Sequence, residues 1–132
     1  MKTCLIIERK AKISHFMLIL IFFGETAMKE SRFQRKLIEE IEELFPGCIV
    51  MKNDPNYIQG IPDLLILYKN KWAALECKRS ERDHHQPNQD YYISIMNEMS
   101  YASFVYPENK EVVLDELQSA LRARRKTRLS KR

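Results

Sequence analysis

Asp63, Glu76 and Lys78 stand where charged side chains are costly. Asp63 precedes the apolar run Leu64-Leu65-Ile66-Leu67-Tyr68, and Glu76-Cys77-Lys78 follows Trp72-Ala73-Ala74-Leu75. Both runs read as central β-structure, where an uncompensated charge costs several kcal/mol. A divalent cation shared by the two carboxylates would compensate, with the ammonium as a fixed positive charge beside it.

The elements that bring the three together follow from parity. A two-residue turn at Lys69-Asn70 pairs Tyr68 with Lys71 and sets Asp63 opposite Glu76. Side chains alternate along a strand, so Asp63, Leu65 and Leu67 share a face with Trp72, Ala74, Glu76 and Lys78. Leu64, Ile66, Ala73 and Leu75 occupy the other face, so both faces are apolar and the hairpin should be sandwiched by helices. Asn70 is the residue suited to positive φ in the turn. A slip of one residue would turn Asp63 away from Glu76.

Pro62-Asp63, twelve intervening positions and Glu76-Cys77-Lys78 resemble the motif of the PD-(D/E)XK nuclease superfamily, in particular its virus-type replication-repair and phage resolvase-like branch. The resemblance spans about residues 30–121. It implies an α/β fold of restriction-endonuclease type: a mixed four-stranded sheet flanked by helices, in the order αβββαβ with a C-terminal helix added. It also implies Mg²⁺-dependent hydrolysis of DNA phosphodiesters, with Mn²⁺ as a substitute, in a phage or mobile-element setting of replication, repair or recombination.

Apolar residues at Phe33, Leu37, Ile38, Ile41, Leu44 and Phe45 predict a helix from Glu30 to Phe45, stopped by Pro46-Gly47. Glu30 tops that stripe. The resemblance assigns such a glutamate to metal binding or water positioning; the alternative is an acid in the first turn complementing the helix dipole. Pro87 is predicted to open a second helix running to about Met99, with Tyr92, Ile95, Met96 and Met99 as its stripe. Stepping back along that stripe reaches Gln89, which the resemblance places near the scissile phosphate or a site water. The competing reading is a helix-start glutamine bonded to backbone or solvent. A longer family variant has a tyrosine four residues further on, where this chain has Ile93.

The remaining predicted elements are a strand over 48–52, a polar loop over 53–59, a strand over 102–106 reached through the second helix, and a helix over 110–123 with Val113, Leu114, Leu117 and Leu121 on one side. A meander followed by a right-handed helical crossover makes the sheet mixed. The chain has 132 residues, 45% hydrophobic and 30% charged, enough for one small core. Cys4, Cys48 and Cys77 are odd in number and two lie in predicted strands, which fits reduced thiols and a cytoplasmic setting. Cys77 points away from the charges while its backbone carbonyl remains available to a metal. His84-His85 lacks the partners of a zinc site.

Residues 122–132 hold seven basic side chains and no acid, so without them the net charge of +4 becomes −3. They read as a flexible tail drawn to phosphates in a salt-dependent way. Lys52, Lys69, Lys71, Arg79 and Arg82 are expected near the mouth of the cleft. The first 27 residues stand apart from the domain over 28–121. Their apolar run Ile13 to Phe23 behind Lys2, Arg9, Lys10 and Lys12 imitates a signal peptide and is short for a membrane helix. They are also readable as an extension upstream of a true start at Met28, since Gly24-Glu25 can be encoded by a purine run like a ribosome-binding site.

The expected site is thus Asp63, Glu76 and the Cys77 carbonyl around Mg²⁺, with Glu30 as a further ligand and Gln89 in the water network. Lys78 is expected to act electrostatically, orienting the attacking water or offsetting charge on the phosphorane. The expected partner is duplex or branched DNA, cut in a structure-selective or weakly sequence-specific way, with pairing of two copies if both strands are cut. No membrane partner and no small-molecule cofactor are expected. The alternative function is a catalytically silent nuclease-fold module that holds DNA or docks another protein.

Overall fold

The computed structural model describes residues 15–123, with side chains described from Lys29 onward. The expectations for residues 1–14 and for the tail beyond Ala123 therefore lie outside the described residues. The element order is α1 His15–Leu44, β1 Ile49–Lys52, β2 Leu64–Tyr68, β3 Lys71–Cys77, α2 Pro87–Met99, β4 Tyr101–Val105 and α3 Lys110–Arg122. The strands form one open sheet in the order β1-β2-β3-β4, with β1, β2 and β3 antiparallel in sequence and β4 parallel to β3. The protein is a mixed α/β fold.

Tyr68 pairs with Lys71 and Leu64 with Leu75, the register set by the two-residue turn. Positive φ falls on Lys69, at 55°, and not on Asn70.

One face of the sheet carries the core. Leu64 and Ile66 of β2, Ala73, Leu75 and Cys77 of β3 and Val105 of β4 pack against Leu37, Ile41 and Phe45 of α1 and Val113, Leu114, Leu117 and Leu121 of α3. Lys110 ties the two helices by an ion pair to Glu40 at 2.7 Å. The expected stripes on α1 and α3 are the buried ones. α1 begins well before Glu30, because the intervening Glu25, Ala27, Met28 and Lys29 are good helix formers with no proline among them.

The opposite face is only half covered. α2 lies over β3 and β4, where Ala74 and Ala102 are paired and small enough to let the helix approach. Beyond it, Ile49 is 59% exposed, Met51 46% and Leu67 36%. The expected two-sided sandwich is therefore incomplete: a helix ~10–12 Å across spans about two strands at ~4.8 Å spacing. No residue of the stripe expected on α2 is fully buried: Tyr92, Ile95 and Met96 are half-buried and Met99 is exposed, since the helix rests on a sheet face left partly open. Among the described residues no helix is long and apolar enough to cross a membrane.

Candidate active site

Asp63 immediately precedes β2, and a small clamp fixes it there. The Asn53 backbone N–H donates to the Asp63 carbonyl at 2.8 Å, and Asn53 Nδ2 donates to the Pro62 carbonyl at 2.7 Å. Pro62 is buried. Gly60, at φ +87°, lets the loop pass against the start of α2; a Cβ built there would lie 2.4 Å from Asn88 Cβ. Sequence reasoning read this loop only as polar and missed Asn53. The Gly60-Ile61-Pro62-Asp63 run held the available signal, since a glycine followed by proline before a strand marks a constrained turn.

Across the hairpin, Glu76 grips the backbone of Asp63, and Asp63 grips that of Cys77, the neighbour of Glu76. Asp63 N–H donates to Glu76 Oε2 at 3.1 Å, and Cys77 N–H donates to Asp63 Oδ2 at 2.9 Å. The two carboxylates therefore stand side by side at one end of the strand pair. Glu76 is 3% exposed and Lys78 7%, the two charged residues in the buried set. Lys78 Nζ donates to Gln89 Oε1 at 2.7 Å and to the His84 carbonyl at 3.2 Å, and lies 3.6 Å from Glu76 Oε1. Gln89 Nε2 donates to the same Glu76 oxygen.

Gln89 takes the helix-start role that was one of its two expected places, and it also reaches the charged groups of the site. Its Oε1 accepts from the Gln86 backbone N–H at 3.1 Å, half of a capping box at the start of α2. The same Oε1 also accepts from Lys78 Nζ while Nε2 donates to Glu76, so Gln89 holds the site's geometry from a helix terminus. Glu30 lies in the interior of α1, which removes the first-turn dipole reading. Its carboxyl is raised by burial and then by the charge of Asp63, so it faces the pair. Among the described residues, however, no three His, Cys, Asp or Glu side chains converge as a ready-made metal cage.

Electrostatics single out the carboxylates. Burial, followed by the neighbouring Asp63 charge, pushes the Glu76 carboxyl up to about 7 against the pull of Lys78. Burial also raises Asp63, opposed by the Cys77 N–H, Lys78 and Lys52. The Cys77 thiol is buried on the core face and pushed far up by desolvation, which makes it inert as a nucleophile.

The buried ammonium of Lys78 pairs with Glu76 and acts on Asp63 only through its charge, and Asp63 Oδ1 accepts no hydrogen bond from the described residues. That donor set fits a hard divalent cation of the Mg²⁺ type, which binds through one or two carboxylates and keeps several waters.

The loop after Lys78 is organised by Asp83, a residue the sequence reading passed over. Asp83 accepts from Arg79 Nε at 3.0 Å and Nη2 at 2.8 Å, and from the backbone N–H groups of Arg79 and His84. Arg79 holds its carboxyl well below the usual carboxylate range. The two histidines diverge: His84 gives its carbonyl to Lys78, while His85 stacks on Phe104 at 3.8 Å and meets Asp90 at 3.1 Å.

Of the five basic residues expected at the cleft mouth, Arg79 and Arg82 flank the site and Lys52 lies near enough to act on Asp63. Lys69 and Lys71 sit at the other end of the hairpin, about 17 Å along the strands at ~3.3 Å per residue. Lys71 Nζ is bonded there to the carbonyls of Ala120 and Ala123. The expectation failed for those two because a hairpin's turn and its open ends necessarily lie apart.

Comparison with protein-family models, curated proteins and solved structures finds no match to this chain.

Proposed function

We propose that this protein is a restriction-endonuclease-like, Mg²⁺-dependent deoxyribonuclease whose centre is Asp63, Glu76 and Lys78. The observation that carries the reading is the register: it sets the buried Glu76 carboxylate beside the half-buried Asp63 at the end of β2 and β3, with one buried ammonium, Lys78, acting on both. A pair so placed disfavours its own ionisation, as the raised Glu76 carboxyl shows. Such a cost is the mark of a functional centre more than of a structural ion pair.

Asp63, Glu76 and the Cys77 carbonyl would hold the cation, which when bound supplies Lewis-acid polarisation of a phosphate and a more acidic water. The rest of the work belongs to the chain. Lys78, fixed by Gln89 and the His84 carbonyl, sets an ammonium where negative charge develops on the phosphoryl oxygens. Gln89 orients Lys78 and Glu76 together. Glu30, on the facing side of α1, is placed to orient the attacking water.

The test is cleavage of linear, nicked, flapped and four-way DNA with and without Mg²⁺ or Mn²⁺, comparing wild type with Lys78→Ala. The expected outcome is metal-dependent cleavage that Lys78→Ala reduces by orders of magnitude. Equal rates in both proteins would overturn the assignment. DNA binding with no cleavage under any metal condition would leave the silent binding module in its place.

A further inference from the structure

A cleft of about 440 Å³ opens between α1 and the loop after Lys78. Lys29 and Phe33 line it from α1, one helical turn apart, and Arg79, Arg82 and Asp83 line it from the loop. Its size falls within the ~300–1,000 Å³ of small-ligand sites. The carboxyl of Glu30, next to Lys29, is raised by burial and by the charges of Asp63 and Asp83, and lowered by those of Arg79 and Lys78. Arg79 directly follows Lys78 in the chain, so the cleft begins one residue from the site's ammonium.

Its chemistry is divided. Asp83 is committed to Arg79, whereas Lys29 and Arg82 make no ion pair among the described residues. Two cations thus line the cleft together with an aromatic ring, Phe33, that is only partly buried against the core. An anion alone has no use for that ring, and an apolar ligand alone has no use for the cations. A nucleotide uses both.

We propose that the cleft holds one unpaired nucleotide of the substrate strand next to the cut, with its base on Phe33 and its phosphate between Lys29 and Arg82. This rests on the nuclease reading and narrows it. In continuous duplex both faces of a base are covered by its neighbours, so a paired base cannot lie on Phe33; a base at a flap, gap or frayed end can. Arg79, its guanidinium held in plane by the fork to Asp83, offers a second flat surface across the cleft. The substrate class is then DNA with an unpaired nucleotide adjoining the scissile phosphate.

The experiment measures binding in EDTA, so that it stands apart from cleavage. Fluorescence anisotropy compares a duplex with the same duplex carrying a short single-stranded flap, for wild type, Arg82→Ala and Phe33→Leu. Wild type is expected to favour the flapped DNA about tenfold, the scale of one stacked base. Each variant should reduce that preference to within about twofold; Phe33→Leu should leave duplex affinity unchanged, and Arg82→Ala should lower affinity for flapped DNA more than for duplex. Arg82 is exposed, so its variant does not threaten the fold, and leucine at position 33 keeps the apolar packing while removing the ring. Photo-crosslinking from a halogenated uracil in the flap should map to Phe33. No flap preference in wild type, or equal losses on duplex and flapped DNA, would overturn the proposal. Cleft-dependent flap binding without Mg²⁺-dependent cleavage would uphold the cleft and overturn the nuclease reading.

Discussion

At its turn end the β2–β3 hairpin settles its charges cheaply. Lys71 reaches the carbonyl end of α3, Lys69 lies over the Tyr68 ring at 5.2 Å, and Arg122 joins α3 to the Leu44 carbonyl of α1 at 2.6 Å. Cations meet helix C-termini there, a favourable and ordinary arrangement. At the other end, Glu76 and Lys78 are drawn out of water and Asp63 partly so, with two carboxyl groups for one buried ammonium. The same two strands thus carry one end built for stability and one that works against it, and the second is where chemistry is expected.

That contrast breaks most decisively in a paired substitution. Lys78→Ala should lower the cleavage rate by ~10²–10³-fold, the scale of losing one fixed electrostatic donor. Lys71→Ala should leave cleavage unchanged and cost ~1 kcal/mol in urea unfolding. Comparable losses of cleavage in both would erase the distinction between the ends.

Glu76 gives the contrast a pH signature. Its folded carboxyl stands at about 7 against an ordinary 4.5, so across that window the folded state holds a proton the unfolded chain has released. Stability should therefore fall as pH rises from about 4.5 to about 7 and level off above, by about 3 kcal/mol in all. Chemical denaturation across that range checks it, and Glu76→Gln should flatten the slope while abolishing cleavage.

Smaller effects sharpen the picture of how the acidic end is held. Gly60→Ala places a Cβ against Asn88 at a left-handed φ, and should cost ~2 kcal/mol of stability by thermal unfolding. Asn53→Ala removes one clamp on Pro62-Asp63. It should cost ~1 kcal/mol and reduce kcat more than stability alone explains.

The acidic end was legible in the sequence because strand parity is unforgiving. A two-residue turn left one register, and Asp63 opposite Glu76 followed. The stripe Val113, Leu114, Leu117 and Leu121 was equally legible, since helical spacing and burial coincide there. Asn53 and Asp83 were not, because each acts through side chain-to-backbone hydrogen bonds that fix loops and leave no periodic trace. The dual place of Gln89 was half visible: Gln86 three residues before it is a capping pattern, but its reach to Lys78 depends on how α2 docks. The open half of the sheet face could not be read, because apolar strand residues look the same whether or not a helix covers them.

The claim that the paired carboxylates form a cation site is tested most directly by NMR titration of the Glu76 side chain with and without Mg²⁺. Without the ion its midpoint should stand at about 7. Saturating Mg²⁺ should move that midpoint down, because a bound cation favours the ionised form. An ordinary carboxylate midpoint in both samples, or one that Mg²⁺ leaves in place, would contradict it.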